Sequence, residues 1–156
     1  MKIIDNLLEE KQVLEIEQEV IKDTFPWYYQ NCVTYKSDAN SYYFTHMFYL
    51  NGEQSKYFNL IIPILKKIKF KKLIRVKGNL YPNVNKVEEH PKHVDFNYPT
   101  KGALFYLNTN NGPTNVGNKK IESVRNRLLL FNASKEHNSI TCTDAKIRLN
   151  ININYS

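Results

Sequence analysis

Two helix-like stretches followed by a run of short strands predict an α+β protein, mainly β, with its helices segregated onto one side of a β-sandwich or barrel. Three observations carry this expectation. Apolar residues recur at helical spacing before Lys72. Beyond Lys72, short apolar runs punctuated by Gly, Asn and Pro replace that spacing. The chain is also rich in strand-favouring aromatics, with 11 Tyr and 8 Phe in 156 residues. No internal repeat, low-complexity tail or linker divides it, so residues 1–156 are expected to form one domain. That length can bury a core without disulfides or a structural metal.

The elements follow in order. "KIIDN", Lys2–Asn6, is a candidate short edge strand. "EEKQVLEIEQEVIKD" places Val13, Ile16, Val20 and Ile21 on one helical face and charges elsewhere. Pro26 ends that helix, because proline disfavours helical backbone at the residue before it. "SYYFTHMFYL", Ser41–Leu50, reads as an aromatic strand, with a turn at Asn51-Gly52. "SKYFNLIIPILKKIK", Ser55–Lys69, carries an apolar stripe of Tyr57, Ile61, Ile64, Leu65 and Ile68 and predicts one helix that continues past Pro63. Strands are expected at "KLIRVKGNLY", "GALFYLN", "KIESV" and "NRLLLFNA", with "TNNGPTNVGN" as a turn-rich connection. "KIRLNININY" closes the chain in clean alternation. It sets Ile147, Leu149, Ile151, Ile153 and Tyr155 on one face and Lys146, Arg148, Asn150, Asn152 and Asn154 on the other.

Charge and cysteine content bound the function classes. There are 22 basic and 15 acidic residues, a net charge of +7. The excess is concentrated in "LKKIKFKKLIRVK", which reads as the solvated end of a helix and the strand after it. No nucleic-acid-binding motif accompanies it. The two cysteines, Cys32 and Cys142, show no CxxC spacing and fit a reducing compartment. Acidic residues interrupt the start, so no signal-peptide core is evident, and no apolar run is long enough to span a bilayer. A soluble cytoplasmic protein with no membrane partner is the expectation.

The chemistry is concentrated around "EEHPKHVDFNYP", Glu88–Pro99. In extended chain, residues i and i+2 share a face, so His93 and Asp95 can reach one ion together. Two histidines and a carboxylate form the facial triad that suits Fe(II). A third ligand has to come from elsewhere, with His46 and His137 as candidates. His46 lies within an aromatic strand and reads better as a partly buried, hydrogen-bonded histidine. His137 follows the "NRLLLF" strand and a short polar loop, a place from which a ligand can reach across a barrel. His90 is offset from Asp95 by five positions and followed by Pro91, which makes it a poor ligand and a loop residue at the lip of the site. The polar segment around it is a candidate lid. Arg148 is flanked by neutral Asn with no nearby acid in sequence. It is either a surface strand arginine or the partner of a carboxylate.

Taken together, His-x-Asp, the "YLN" strand, "NRLLLF", a downstream His and an Arg one strand later resemble the Fe(II)/2-oxoglutarate-dependent dioxygenases. The likeness is to the prolyl-4-hydroxylase-like branch and its small single-domain members common in phage and bacterial genomes. It covers Leu73 to Tyr155, with helices before it matching the usual buttress. It implies a double-stranded β-helix, or jelly roll. His93, Asp95 and His137 would be the metal ligands. Arg148 would bind the distal carboxylate of 2-oxoglutarate, with Tyr106 on the same carboxylate and Asn79 and Tyr81 as further cosubstrate contacts. It implies Fe(II) as metal, 2-oxoglutarate and O2 as cosubstrates, and hydroxylation of a primary substrate with release of succinate and CO2. A protein side chain or small molecule is favoured over nucleic acid as that substrate. The chain departs from the pattern in "NNGPTNV", where "GGxL" is often found, so its substrate entrance is expected to differ in shape. The alternative is a catalytically silent jelly-roll binding or structural module, for example a phage-associated one. A cupin-like site fits less well: only His90 and His93 could form its histidine pair, and Glu88 and Glu89 come too early to be its glutamate.

Overall fold

The computed structural model describes residues 1–34 and 41–156. In chain order it has β1 (Lys2–Ile4), α1 (Glu10–Val20), β2 (Tyr28–Gln30), β3 (Tyr43–Leu50), β4 (Glu53–Gln54), a 3₁₀ turn (Phe58–Ile61) leading into α2 (Ile62–Leu65), and β5 (Leu73–Pro82). Then come β6 (Lys101–Tyr106), β7 (Asn110–Val116), β8 (Lys119–Ser123), β9 (Arg127–Asn132), β10 (His137–Ser139) and β11 (Ile147–Tyr155). An eight-stranded antiparallel sheet runs β1-β9-β6-β11-β5-β3-β2, with β4 paired to β3. A smaller sheet, β10-β7-β8, lies against it. Isolated bridges Glu89↔Ile140 and His93↔His137 add the segment before β6 to the small sheet's edge. The two facing sheets make a jelly roll with short helices outside it, the architecture expected from the sequence.

Each face of the large sheet has its own chemistry. One face packs on the helices through Val13, Ile16 and Val20 of α1, the buried Ile61, Ile64, Leu65 and Ile68, and Phe48, Val76, Phe105, Ile151 and Ile153 of the strands. The other face looks into the sandwich. The alternation of β11 therefore holds, but its polar half is not solvated: Arg148, Asn150 and Asn154 are each at most 1% exposed. A second apolar cluster of Leu104, Tyr106, Ile121, Leu129, Phe131 and Ala133 fills one side between the sheets.

Several local expectations are corrected. The stripe from Ile61 to Ile68 is buried as expected, but it is not one helix. A 3₁₀ turn hands over to a single α-turn with Pro63 at its start, where a proline's missing N–H leaves no hydrogen bond unmade. Ile21 is 60% exposed because α1 stops at Val20. A reciprocal bond between Glu9 and Gln12 caps the start of that helix. The turn-rich connection is in fact β7, paired with β8 around a Gly117 turn and with β10 on its other side. The short strands β2 and β4 have no counterpart in the sequence reading.

The candidate lid is pinned. His90 N–H donates to Ser139 O, Thr141 N–H to Glu88 O, His93 and His137 exchange backbone bonds, and Asp95 N–H donates to Ala133 O. Among the described residues, no helix is long and apolar enough to cross a membrane.

Candidate active site

The pairing of the pinned segment with β10 brings His93 and His137 directly opposite one another. Their rings lie 4.5 Å apart between centroids, and His137 Nε2 stands 3.8 Å from Asp95 Oδ2. One ligand atom from each of His93, Asp95 and His137 falls within 4.8 Å of the others, close enough to share one ion. The Nδ1 of His137 donates to Lys135 O at 2.9 Å, and that of His93 makes a longer 3.4 Å contact with Pro91 O. Engaging Nδ1 leaves Nε2 as the lone-pair nitrogen, the tautomer a metal ligand needs. Burial and the neighbouring His137 hold the His93 imidazole below its ordinary pKa, which favours the neutral form that can coordinate.

Asp95 is oriented from both sides. Arg75 donates to Oδ1 at 2.9 Å, while Asn154 and Asn152 donate to Oδ2 at 2.8 and 3.3 Å. Burial alone would raise its carboxyl pKa, but Arg75, His137 and the two amides outweigh it and hold the pKa below the ordinary value. The sequence reading missed Arg75, since nothing local distinguishes it from the other cations of its basic stretch. Arg75→Met is expected to let burial dominate and move the Asp95 carboxyl upward, measurable by carbon-13 titration of the carboxyl. Stability that ionised Asp95 contributes above about pH 4, and that is lost as pH falls through its depressed pKa, should shrink in the variant. An Asp95 titration unaltered by Arg75→Met would contradict this pairing.

Arg148, 1% exposed, lines the same cavity. Its Nε donates to Gly112 O and its Nη2 to Thr114 Oγ1, both at 2.8 Å, and Nε also reaches Ser123 Oγ at 3.3 Å. Among the described residues no carboxylate pairs with it, although a buried cation without an anion is costly. The bland reading, a surface arginine on the last strand, is overturned by this burial. Gly112 lets β7 approach closely: a Cβ there would meet Ile140 O at 2.7 Å and Arg148 Cδ at 3.0 Å. Gly112→Ala is expected to cost about 1–3 kcal/mol through overpacking, seen as a lowered melting temperature. An unchanged melt would mean that this close approach does not exist in solution.

The remaining expected residues are placed as follows. Asn79 and Tyr81 line the cavity beside Arg148. Asn79 Nδ2 donates to Asn150 Oδ1 at 2.9 Å, and its own Oδ1 finds no protein partner. Tyr106 does not line the cavity. Its hydroxyl, fully buried, donates to Thr114 Oγ1 at 2.8 Å, and it is Thr114 that faces the cavity next to Arg148. Tyr106 therefore reaches the cavity wall through Thr114, a residue hidden in sequence inside the supposed turn segment.

His90 is corrected as well: it is 4% exposed rather than at the lip, stacks on Tyr81 with ring centroids 5.6 Å apart, and contacts Ser139 Oγ at 2.8 Å through Nδ1. It stays outside the three-residue cluster, as expected. His46 is buried in the sheet, its Nδ1 donating to Pro26 O at 2.9 Å and its Nε2 accepting from Ser55 Oγ at 3.0 Å.

Neither a protein-family profile nor a curated protein matches the chain. Solved structures do. A prolyl hydroxylase from Trichoplax adhaerens, solved with a hypoxia-inducible factor peptide, superposes with a TM-score of 0.67 at 16% identity, over 99% of this chain and 82% of that one. A 2OG-Fe(II) oxygenase family oxidoreductase from Burkholderia pseudomallei gives 0.69 at 9% identity, covering 99% and 84%. The fold is that of the prolyl-4-hydroxylase-like 2-oxoglutarate oxygenases. An epimerase of that oxygenase fold, solved with Fe3+, alpha-ketoglutarate and nogalamycin RO, gives 0.66 at 11% identity over 98% and 77%. At these identities the likeness speaks for architecture. The chemistry has to be argued from the side chains.

Proposed function

We propose that this protein is an Fe(II)- and 2-oxoglutarate-dependent oxygenase that hydroxylates a primary substrate. The observation that carries the reading is the coincidence, in one cavity, of a His93–Asp95–His137 cluster and a buried guanidinium with no carboxylate partner among the described residues. A scaffold needs neither; an oxygenase that takes up a metal and a dicarboxylate needs both. The donor set of two imidazoles and one carboxylate fits Fe(II). When bound, Fe(II) with 2-oxoglutarate supplies oxidative decarboxylation to succinate and CO2, coupled to insertion of oxygen from O2 into a C–H bond.

The chain's own residues orient and enclose. His93, Asp95 and His137 would hold the ion, with Arg75, Asn152 and Asn154 fixing the carboxylate. Arg148 would pair with the far carboxylate of the cosubstrate, held in place by Thr114 and Gly112. Asn79 and Tyr81 would flank it, and Leu104 and Phe131 give the cavity apolar wall that limits water. Asn79, Asn138 and Asn152 line this cavity, and the buried amide oxygen of each has no hydrogen-bond partner among the described residues, which supports a polar occupant. A protein side chain or a small molecule remains the preferred primary substrate; the Trichoplax relative's peptide complex supports the former.

The test is joint binding. Titration of Mn(II), as an oxygen-inert stand-in for Fe(II), followed by 2-oxoglutarate under nitrogen should give two saturable heats, the second dependent on the first. Aerobic Fe(II) should then release succinate. The silent-module alternative predicts no metal-dependent binding of 2-oxoglutarate at all.

A further inference from the structure

The cavity contains a second cation that the reading above leaves unused. Lys77 lies on β5, paired in register with Asn152, and its side chain lines the same cavity as the His93–Asp95–His137 cluster. Its ammonium reaches the Tyr43 hydroxyl at 3.3 Å and lies 5.6 Å from that ring's centroid. Among the described residues no carboxylate lies within ion-pair distance of it, Asp95 being taken by Arg75. An ammonium has three donors, and one oxygen contact leaves the others unused among the described residues.

The sheet keeps the two cations apart. Strand order places β5 between β11 and β3, so Tyr81 stands between Arg148 on one neighbouring strand and Tyr43 on the other. Arg148 sits 5.4 Å from the Tyr81 ring, and Tyr43 stacks on Tyr81 with centroids 5.1 Å apart. One cation occupies the Arg148 side of this aromatic divider and the other the Tyr43 side. 2-Oxoglutarate has two carboxylates. In the reading above one goes to the metal and the other to Arg148, so none is left for Lys77.

We propose that Lys77, with Tyr43 beside it, is a subsite for a carboxylate of the primary substrate, so that the enzyme selects an acid over the corresponding neutral amide. The inference rests on the oxygenase reading and deepens it by naming the substrate class. A carboxylate fits better than a phosphate. Dianionic phosphate is usually held by several donors, an arginine fork or a nest of backbone N–H groups, and among the described residues this side of the cavity offers the Lys77 ammonium and the Tyr43 phenol. Burial pushes the Lys77 pKa down to about 8, which still leaves the ammonium protonated at neutral pH. Asn152 Oδ1, without a protein partner, lines the same wall.

The experiment uses the whole chain loaded with Mn(II) and 2-oxoglutarate under nitrogen. The probes are the N-acetyl derivatives of proline, leucine, lysine, asparagine and aspartate, each as free acid and as primary amide. Binding is read from Mn(II)-induced broadening of the probe resonances, which also requires proximity to the metal. At least one acid should bind about tenfold more tightly than its amide. Lys77→Met should erase that preference and Lys77→Arg restore part of it, with Mn(II) and 2-oxoglutarate affinities within about threefold of wild type. No acid preference in any pair, or a preference that survives Lys77→Met, overturns the proposal. Loss of 2-oxoglutarate affinity in Lys77→Met also overturns it, by assigning the lysine to the cosubstrate. Failure of the wild type to bind Mn(II) and 2-oxoglutarate, read before any probe is added, instead overturns the oxygenase reading beneath it.

Discussion

His137→Ala is expected to abolish Mn(II) binding while leaving the fold standing, whereas Asp95→Ala should abolish binding and also destabilise the protein. The two proposed ligands differ in what else holds them. His137 makes ring contacts with His93 and Phe131, one bond to Lys135 O and a 3.8 Å approach to Asp95, and losing its ring strands no buried charge. Asp95 is the anion of a largely buried ion pair, its side chain 6% and that of Arg75 19% exposed. Removing it strands the guanidinium and two amide donors. Breaking one side of such a pair costs about 3–5 kcal/mol, roughly 6–20 °C of melting temperature for a domain of this size. Metal affinity should fall in both variants by more than the roughly 10–100-fold typical of an outer-shell change. Calorimetric titration and thermal melts separate the two effects. Undiminished Mn(II) affinity in His137→Ala would remove that residue from the site.

What the sequence made legible follows from how local each signal is. The apolar stripes of α1 and of Ile61–Ile68, and the alternation of β11, are properties of consecutive residues, and all three survive in the structure. His93 and Asp95 were legible for the same reason, because two-residue spacing on extended chain sets both on one side. β7 was not. "NNGPTNV" has only Thr114 and Val116 to favour a strand against three Asn, a Gly and a Pro, and its extended form is imposed by hydrogen bonds to β8 and β10. That miss had consequences, because β7 supplies the Thr114 hydroxyl and Gly112 carbonyl that seat Arg148. Arg75 and Lys77 were illegible because their partners, Asp95 and Tyr43, lie 20 and 34 positions away in a chain whose basic residues are mostly solvated. His90 was misplaced because a polar loop sequence does not disclose that its backbone is tied to β10.

Arg148→Met should separate ligand binding from folding in the opposite direction to Asp95→Ala. In a protein where Arg148 serves only the fold, removing its bonds would lower the melting temperature and leave cosubstrate binding alone. The local geometry argues otherwise. Both principal acceptors keep a partner without it: Gly112 O receives the Ser123 hydroxyl, and Thr114 Oγ1 receives the Tyr106 hydroxyl. A methionine of similar length fills the space and takes an unpaired charge out of the interior, a change that is often neutral or stabilising. The melting temperature should therefore hold or rise. Mn(II) affinity should also hold, since Arg148 makes no bond to His93, Asp95 or His137. The 2-oxoglutarate affinity, in contrast, should collapse, because a cosubstrate carboxylate left unpaired in a buried site forfeits about 2–5 kcal/mol, or roughly 30- to several-thousand-fold. Tight 2-oxoglutarate binding that persists in Arg148→Met would leave the buried guanidinium without the anion that explains it.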